Sequence, residues 1–193
     1  MIIVTFNYRV RNHYFLLHHF PQYLTWELQL GAFGWLAGTS VEEEGVPNAG
    51  LHDQRAALQW VQDHIALVGG DPDNVSAWGE SAGAGSIFLH LVANGGTLDP
   101  LFHRAIAMSP AVYPQMDRRG SIEDEFQEFA TYVGCAGKGL SCLRALNAST
   151  LQEANINLQL GQPAPDGEYI RREPIVEVLT GLFFFLFRFF SFV

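Results

Sequence analysis

The sequence predicts an α/β domain with a mostly parallel sheet flanked by helices. Three observations carry that reading. Short runs of consecutive apolar residues have strand length and no polar alternation, runs with a three-to-four-residue apolar period lie between them, and Gly-rich stops separate the two. Strand and helix alternating in this rhythm imply right-handed crossover units.

Residues 1–9 open with Ile2, Ile3, Val4, Thr5 and Phe6, which read as a strand buried on both faces. Leu58, Val61, Ile65 and Val68, spaced by three, four and three, set one apolar face on a helix that Gly69 and Gly70 stop. Asp71, Pro72, Asp73 and Asn74 form a dense turn signal, and a short strand follows from Val75 through Trp78. A second helix starts after Ser81, with Ile87, Phe88, Leu91 and Val92 on one face, and Asn94, Gly95 and Gly96 end it. Ala105 through Met108 reads as another buried strand. A further helix begins at Ser121, whose hydroxyl is placed to cap a backbone N–H with Asp124 three residues on, and Phe126, Phe129 and Val133 share a stripe. No internal repeat is visible.

Of 193 residues, 48% are hydrophobic and 16% charged, and the formal net charge is −9. A chain this apolar buries enough surface to offset its ordering entropy, which excludes disorder. A nucleic-acid partner is also excluded, because binding phosphates requires a basic face and the balance here is acidic. The segment from Met1 to Phe6 lacks the basic and cleavage regions of a secretory signal. Seven of the 15 Phe residues fall in residues 182–193, a run too short to span a bilayer and broken by Arg188, so no transmembrane segment is expected.

Gly79-Glu80-Ser81-Ala82-Gly83 matches Gly-x-Ser-x-Gly between a predicted strand and a predicted helix, the context in which the pattern marks a nucleophile elbow. A sharp strand-to-helix turn holds the serine in a strained backbone, and Gly79 and Gly83 are expected to be glycine to avoid a clash across it. Ser81 Oγ is then exposed as a nucleophile at the carboxyl end of the sheet, with Glu80 beside it. The helix that follows turns its first N–H groups to the same spot, so the Ala82 amide is a candidate oxyanion donor. The five-residue pattern alone equally fits a Gly-rich loop with a solvated serine; the flanking strand and helix favour the elbow.

Around this motif the chain resembles the type B carboxylesterases, a family of lipases, esterases, cholinesterases and catalytically silent adhesion relatives. The resemblance is carried by residues 4–9 (Val-Thr-Phe-Asn-Tyr-Arg), 30–37 (Leu-Gly-Ala-Phe-Gly-Trp-Leu-Ala), 48–61 (Asn-Ala-Gly-Leu-His-Asp-Gln-Arg-Ala-Ala-Leu-Gln-Trp-Val), 69–75 (Gly-Gly-Asp-Pro-Asp-Asn-Val), 101–106 (Leu-Phe-His-Arg-Ala-Ile) and 166–170 (Asp-Gly-Glu-Tyr-Ile). It covers residues 1–9 and 30 to about 181 and implies a partial α/β-hydrolase fold, incomplete at both ends. It also implies hydrolysis of small-molecule or lipid esters through an acyl-enzyme on Ser81, with no cofactor and no metal, and secretion as the family's usual location.

In this fold the order is Ser, then Asp or Glu, then His, because a histidine must take the serine proton and an acid must fix its tautomer. After Ser81 the chain holds two histidines, His90 on the helix behind the elbow and His103 in the family's strand-entry pattern. Neither stands where the family's base stands, and the Gly-rich oxyanion loop that precedes residues 1–6 in the family is not in the chain. The expectation is weak or absent turnover by this chain. The alternatives are a non-catalytic carboxylesterase-like binding or adhesion protein, and an unstable product of intron retention.

The domain reading is a core at 1–181 interrupted by a non-family insert at 10–29, followed by a non-family tail at 182–193. Joining Arg9 to Leu30 restores uninterrupted family text. Valine codons begin as splice donors do, Gln29 is encodable by an acceptor-like CAG, and Phe codons are pyrimidine-rich, so insert and tail read as retained intron sequence. His13, His18 and His19 in the insert are weak evidence for a metal site.

By the resemblance, Cys135 and Cys142 are one of the family's disulfides, worth roughly 2–3 kcal/mol in the loop-entropy account. Two free thiols in a reduced cytosol is the other reading, since no signal segment is visible. Asn147-Ala148-Ser149 is a glycosylation sequon at a plausible surface turn, while Asn74-Val75-Ser76 matches the same pattern but runs into a core strand.

Overall fold

The structure, a computed structural model, describes residues 1–9, 31–111, 117–158 and 160–179. The insert, its three histidines and the Phe-rich tail lie outside the described residues.

Among the described residues two parallel strands form the sheet, β1 (Ser76–Glu80) and β2 (Arg104–Met108), in the register Ser76 to Arg104 through Glu80 to Met108. The short helices α1 (Ala32–Trp35) and α2 (Thr39–Glu44) come first, then the long α3 (Ala49–His64). A 3-10 turn, Ile65–Val68, continues α3 until Gly69 takes φ 82° and its N–H closes on the carbonyls of Ala66 and Ile65, the stop predicted from the glycine pair. Val61 and Ile65 of the predicted face are buried. Val68 is exposed, because the tighter 3-10 winding rotates it off the helical stripe.

Between β1 and β2 run α4 (Ala82–Leu91) and the single turn α5 (Ala93–Gly96), where Asn94 and Gly95 adopt left-handed conformations and end the helical run. The crossover places α4 on one face of the sheet. Ile87, Leu91 and Phe102 form a core there with Ala77 and Ala105 packed against it. The predicted single apolar face of α4 is too narrow a description. Leu89 and His90 are buried as well, because Leu89 packs with Trp35 of α1, Leu51 of α3, Tyr169 and Ile170 in a second core on the helix's far side. Strand alternation turns Ser76, Trp78 and Glu80 away from α4, and Trp78 is 68% exposed.

A third core holds α6 (Ser121–Tyr132), α7 (Gly139–Arg144) and α8 (Ala148–Leu158) together around Phe126, Phe129, Cys135, Leu143 and Ala154, and α9 (Pro174–Leu179) follows. Cys135 and Cys142 are joined in a disulfide with Cα atoms 5.8 Å apart. One carboxylate binds α6 to α2: Glu123 accepts hydrogen bonds from the backbone N–H and hydroxyl of Ser40, the hydroxyl of Thr39 and the amide of Gln127 at 2.5–2.9 Å. Burial raises its pKa, and these donors outweigh burial and hold it below the usual range.

Two sequence expectations are corrected here. Residues 1–8 form no strand and are mostly exposed, Ile3 by 73%. A strand buried on both faces requires neighbours along its edges and layers above and below, and the described sheet consists of β1 and β2 alone. The segment is tied down instead at Arg9, whose backbone N–H and guanidinium donate to the Asp53 carboxylate at 2.6–3.0 Å. Ser121 is not a cap but the first residue of α6. The turn before it is closed by Asp117, whose side chain accepts from Gly120 N–H at 3.0 Å and whose carbonyl accepts from Ile122 N–H.

Candidate active site

β1 ends at Glu80 and α4 begins at Ala82, leaving one residue to make the turn. Ser81 makes it with φ 52° and ψ −115°, a sparsely populated conformation for any residue with a side chain. Backbone bonds hold it there. Ser81 N–H donates to Met108 O at 3.0 Å, and Ser81 C=O accepts from Gly85 N–H at 2.9 Å and from Ala111 N–H at 3.1 Å. The end of β2 and the first turn of α4 therefore both hold the strained residue. Its two neighbours differ in exposure: Glu80 is exposed, Ala82 half-buried. The first N–H groups of α4 have no partner within the helix, and the helix dipole adds positive potential at the same end.

The two elbow glycines are not equivalent. A Cβ on Gly79 would collide with the backbone of Gly83 and Ala84, whereas one on Gly83 meets nothing within 4 Å among the described residues. The expectation that both positions exclude a side chain is corrected for Gly83. At Gly79 the strand passes directly beneath the helix; at Gly83 the helix surface faces open space.

Neither histidine after Ser81 approaches it. His90 is nine residues along α4, about 13 Å of helix rise. It is buried, its Nδ1 lies 2.6 Å from Tyr169 Oη and its Nε2 lies 2.9 Å from Gln54 Oε1. Burial, with help from Arg55 and His52, pushes its pKa down to about 3. His103 is exposed and level with Val75, to whose carbonyl its N–H donates at 2.8 Å, at the opposite end of β1 from Ser81 and about 20 Å away by strand rise.

Sequence reasoning missed the polar group beneath the elbow. Gln54 Nε2 donates to Ser86 Oγ at 3.1 Å, and Ser86 Oγ donates to the Ala82 carbonyl at 2.9 Å. The Tyr169 hydroxyl, pushed up to about 12 by burial against the opposing pull of Arg55, completes the group. A signal was present. Gln54 occupies a position of the apolar stripe that runs through Leu51, Leu58 and Val61, and a polar residue at a core position needs a partner.

Among the described residues no helix is long and apolar enough to cross a membrane, and no cluster of His, Cys, Asp and Glu is arranged to hold a metal.

A family model described as "Carboxylesterase family" matches residues 24–181. The chain is 54% identical over 160 residues to a secreted lipase of Arthroderma benhamiae, covering 82% of this chain and 31% of the relative. It is 41% identical over 142 residues to carboxylesterase patB of Penicillium expansum, covering 73% and 25%. Among solved structures, a PNB esterase superposes with a TM-score of 0.70 at 34% identity over 79% of this chain and 34% of that one. EstA of Aspergillus niger superposes at 0.69 and 35%, over 79% and 32%. The chain thus spans about a third of the length of the relatives it matches.

Proposed function

We propose, from the premise that this chain belongs to the carboxylesterase family, that Ser81 is the nucleophile of an ester hydrolase and that the Ala82 amide is one donor of its oxyanion hole. The observation that carries the proposal is the backbone of Ser81, held at φ 52° and ψ −115° between a parallel strand and a helix N-terminus. A conformation this costly persists where its surroundings over-determine it, and here it sets the half-buried Ser81 at the N-terminus of α4, beside N–H groups that have no partner within the helix. Attack on an ester carbonyl there forms an acyl-serine and releases the alcohol; water then releases the acid. The substrate class is a small-molecule or lipid ester, and secretion is proposed from the similarity to a secreted lipase.

This chain is proposed to turn over weakly. Ser81 needs a histidine to take its proton; the ring of His90 is bonded to Tyr169 and Gln54, and His103 lies beside Val75 at the opposite end of β1. Loss of the base costs orders of magnitude while binding and oxyanion stabilisation leave a residue of activity.

A fluorophosphonate probe and a short-chain aryl ester, applied to the purified chain and its Ser81→Ala variant, test both statements. Slow labelling at Ser81 that vanishes in the variant, with ester turnover barely above background, is the expected result. Rapid turnover abolished by Ser81→Ala overturns the weak-turnover statement. No labelling at Ser81 overturns the nucleophile and favours the non-catalytic binding reading.

A further inference from the structure

Tyr169, His90 of α4, Gln54 of α3 and Ser86 of α4 form a series in which each lies within hydrogen-bonding distance of the next, and the series ends on the residue that follows the proposed nucleophile. The contacts are Tyr169 Oη to His90 Nδ1 at 2.6 Å, His90 Nε2 to Gln54 Oε1 at 2.9 Å, Gln54 Nε2 to Ser86 Oγ at 3.1 Å and Ser86 Oγ to Ala82 O at 2.9 Å. Gln54, Ser86 and His90 are each buried.

The direction of the whole series follows from its last member. A carbonyl only accepts, so the single proton of the Ser86 hydroxyl goes to Ala82 O. Ser86 Oγ then has only acceptor capacity left for Gln54, so Gln54 must present its NH2 to Ser86 and its carbonyl oxygen to His90. His90 Nε2 must carry the ring proton to meet that oxygen. With the ring neutral, Nδ1 is bare and accepts from the Tyr169 hydroxyl. Each step leaves the next no choice.

We propose that Tyr169, His90, Gln54 and Ser86 form a one-way hydrogen-bonded chain that pins the Ala82 carbonyl and so positions the Ala82 amide toward an oxyanion; the proposal rests on reading Ser81 as the nucleophile. The carbonyl of Ala82 also belongs to the first turn of α4, where Ser86 N–H is its ordinary helical partner. A second, directed bond from the side chain fixes the tilt of that carbonyl and with it the torsions of Ala82. Oxyanion stabilisation depends on donors standing in place before charge develops, so a device that holds the donor residue still acts on the rate and not on substrate affinity. Gln54, Ser86 and His90 are positioning residues here; none touches substrate.

The test is a long-range 1H–15N correlation on the 15N-labelled chain at neutral pH, combined with probe labelling. A neutral His90 ring protonated at Nε2 is expected, whereas a ring protonated at Nδ1 reverses the three bonds among Tyr169, His90, Gln54 and Ser86, takes the Ser86 proton away from Ala82 O and overturns the proposal. In Gln54→Leu the Ala82 amide resonance is expected to move although residue 54 lies on another helix, and an unmoved resonance overturns the proposal as well. Fluorophosphonate labelling of Ser81 is expected to slow about tenfold in Ser86→Ala and to recover in Ser86→Thr, less than the hundredfold or more that follows outright loss of an oxyanion donor. Labelling at an unchanged rate in folded Ser86→Ala overturns the positioning role. If the unmodified chain is not labelled at all, the nucleophile reading fails by itself, and the ring tautomer and the Ala82 resonance still decide whether the chain of bonds exists.

Discussion

A Cβ on Gly79 would stand 2.5 Å from the carbonyl carbon of Gly83, while a Cβ on Gly83 would meet no described atom within 4 Å. The asymmetry separates two glycines that the sequence pattern treats alike. Gly79→Ala is expected to lose at least about 2 kcal/mol or fail to fold, because the obstacle is backbone and cannot rotate away. Gly83→Ala is expected to leave stability within about 1 kcal/mol of the parent or to raise it, since alanine is the better helix former. Urea unfolding of the two variants checks this, and equal losses would contradict it.

His90 makes stability depend on pH. Its folded pKa of about 3 lies below the ordinary 6.5, so the unfolded chain takes up this proton first as pH falls. The stabilisation from a neutral, buried His90 is full above pH 6.5 and is lost progressively down to about pH 3, by up to about 1.4 kcal/mol per pH unit. Urea midpoints measured from pH 7 to pH 4 are expected to fall. Replacing His90 with Gln, which keeps a polar group at the site, is expected to flatten that fall even where it lowers stability overall.

Glu123 acts in a lower window. Its donors hold its folded pKa beneath the ordinary 4.5, so its contribution is present above that value and is lost as pH falls through the depressed one. Glu123→Gln is expected to cost about 1–2 kcal/mol at pH 7, because a neutral amide oxygen accepts more weakly from Ser40 and Thr39, and its NH2 would face their donors. Thermal unfolding at pH 7 checks the loss.

The Cys135–Cys142 disulfide sits in the core shared by Phe126, Phe129 and Leu143, with Cys135 fully buried. Closing a loop of sequence separation 7 is expected to stabilise the fold by roughly 2–3 kcal/mol in the loop-entropy account. The difference between urea midpoints with and without dithiothreitol measures it, and no difference would show that reduction costs the α6–α8 region nothing.

The local pieces around Ser81 were legible in the residues alone. The β1 and β2 runs, the Gly69 stop, the strand–Ser–helix order and the Gly79 position follow from residue spacing and backbone preference within a few neighbours, and such preferences act before any distant contact forms. Sequence reading failed where partners come from far along the chain. Residues 1–8 have the composition of a buried strand, but burial requires neighbouring strands and layers, and composition does not supply them. Ser121 has the type of a cap, yet Asp117 closes that turn, because the loop's path puts its carboxylate and carbonyl at the helix start. His90 shows the division most clearly. Its sequence position set it apart from the place where the family's base stands, but only the packing of α3, α4 and Tyr169 decided what it bonds. Hydrogen bonds across 36 and 79 residues of separation depend on how helices dock, and docking is set by the whole core and not by any one segment.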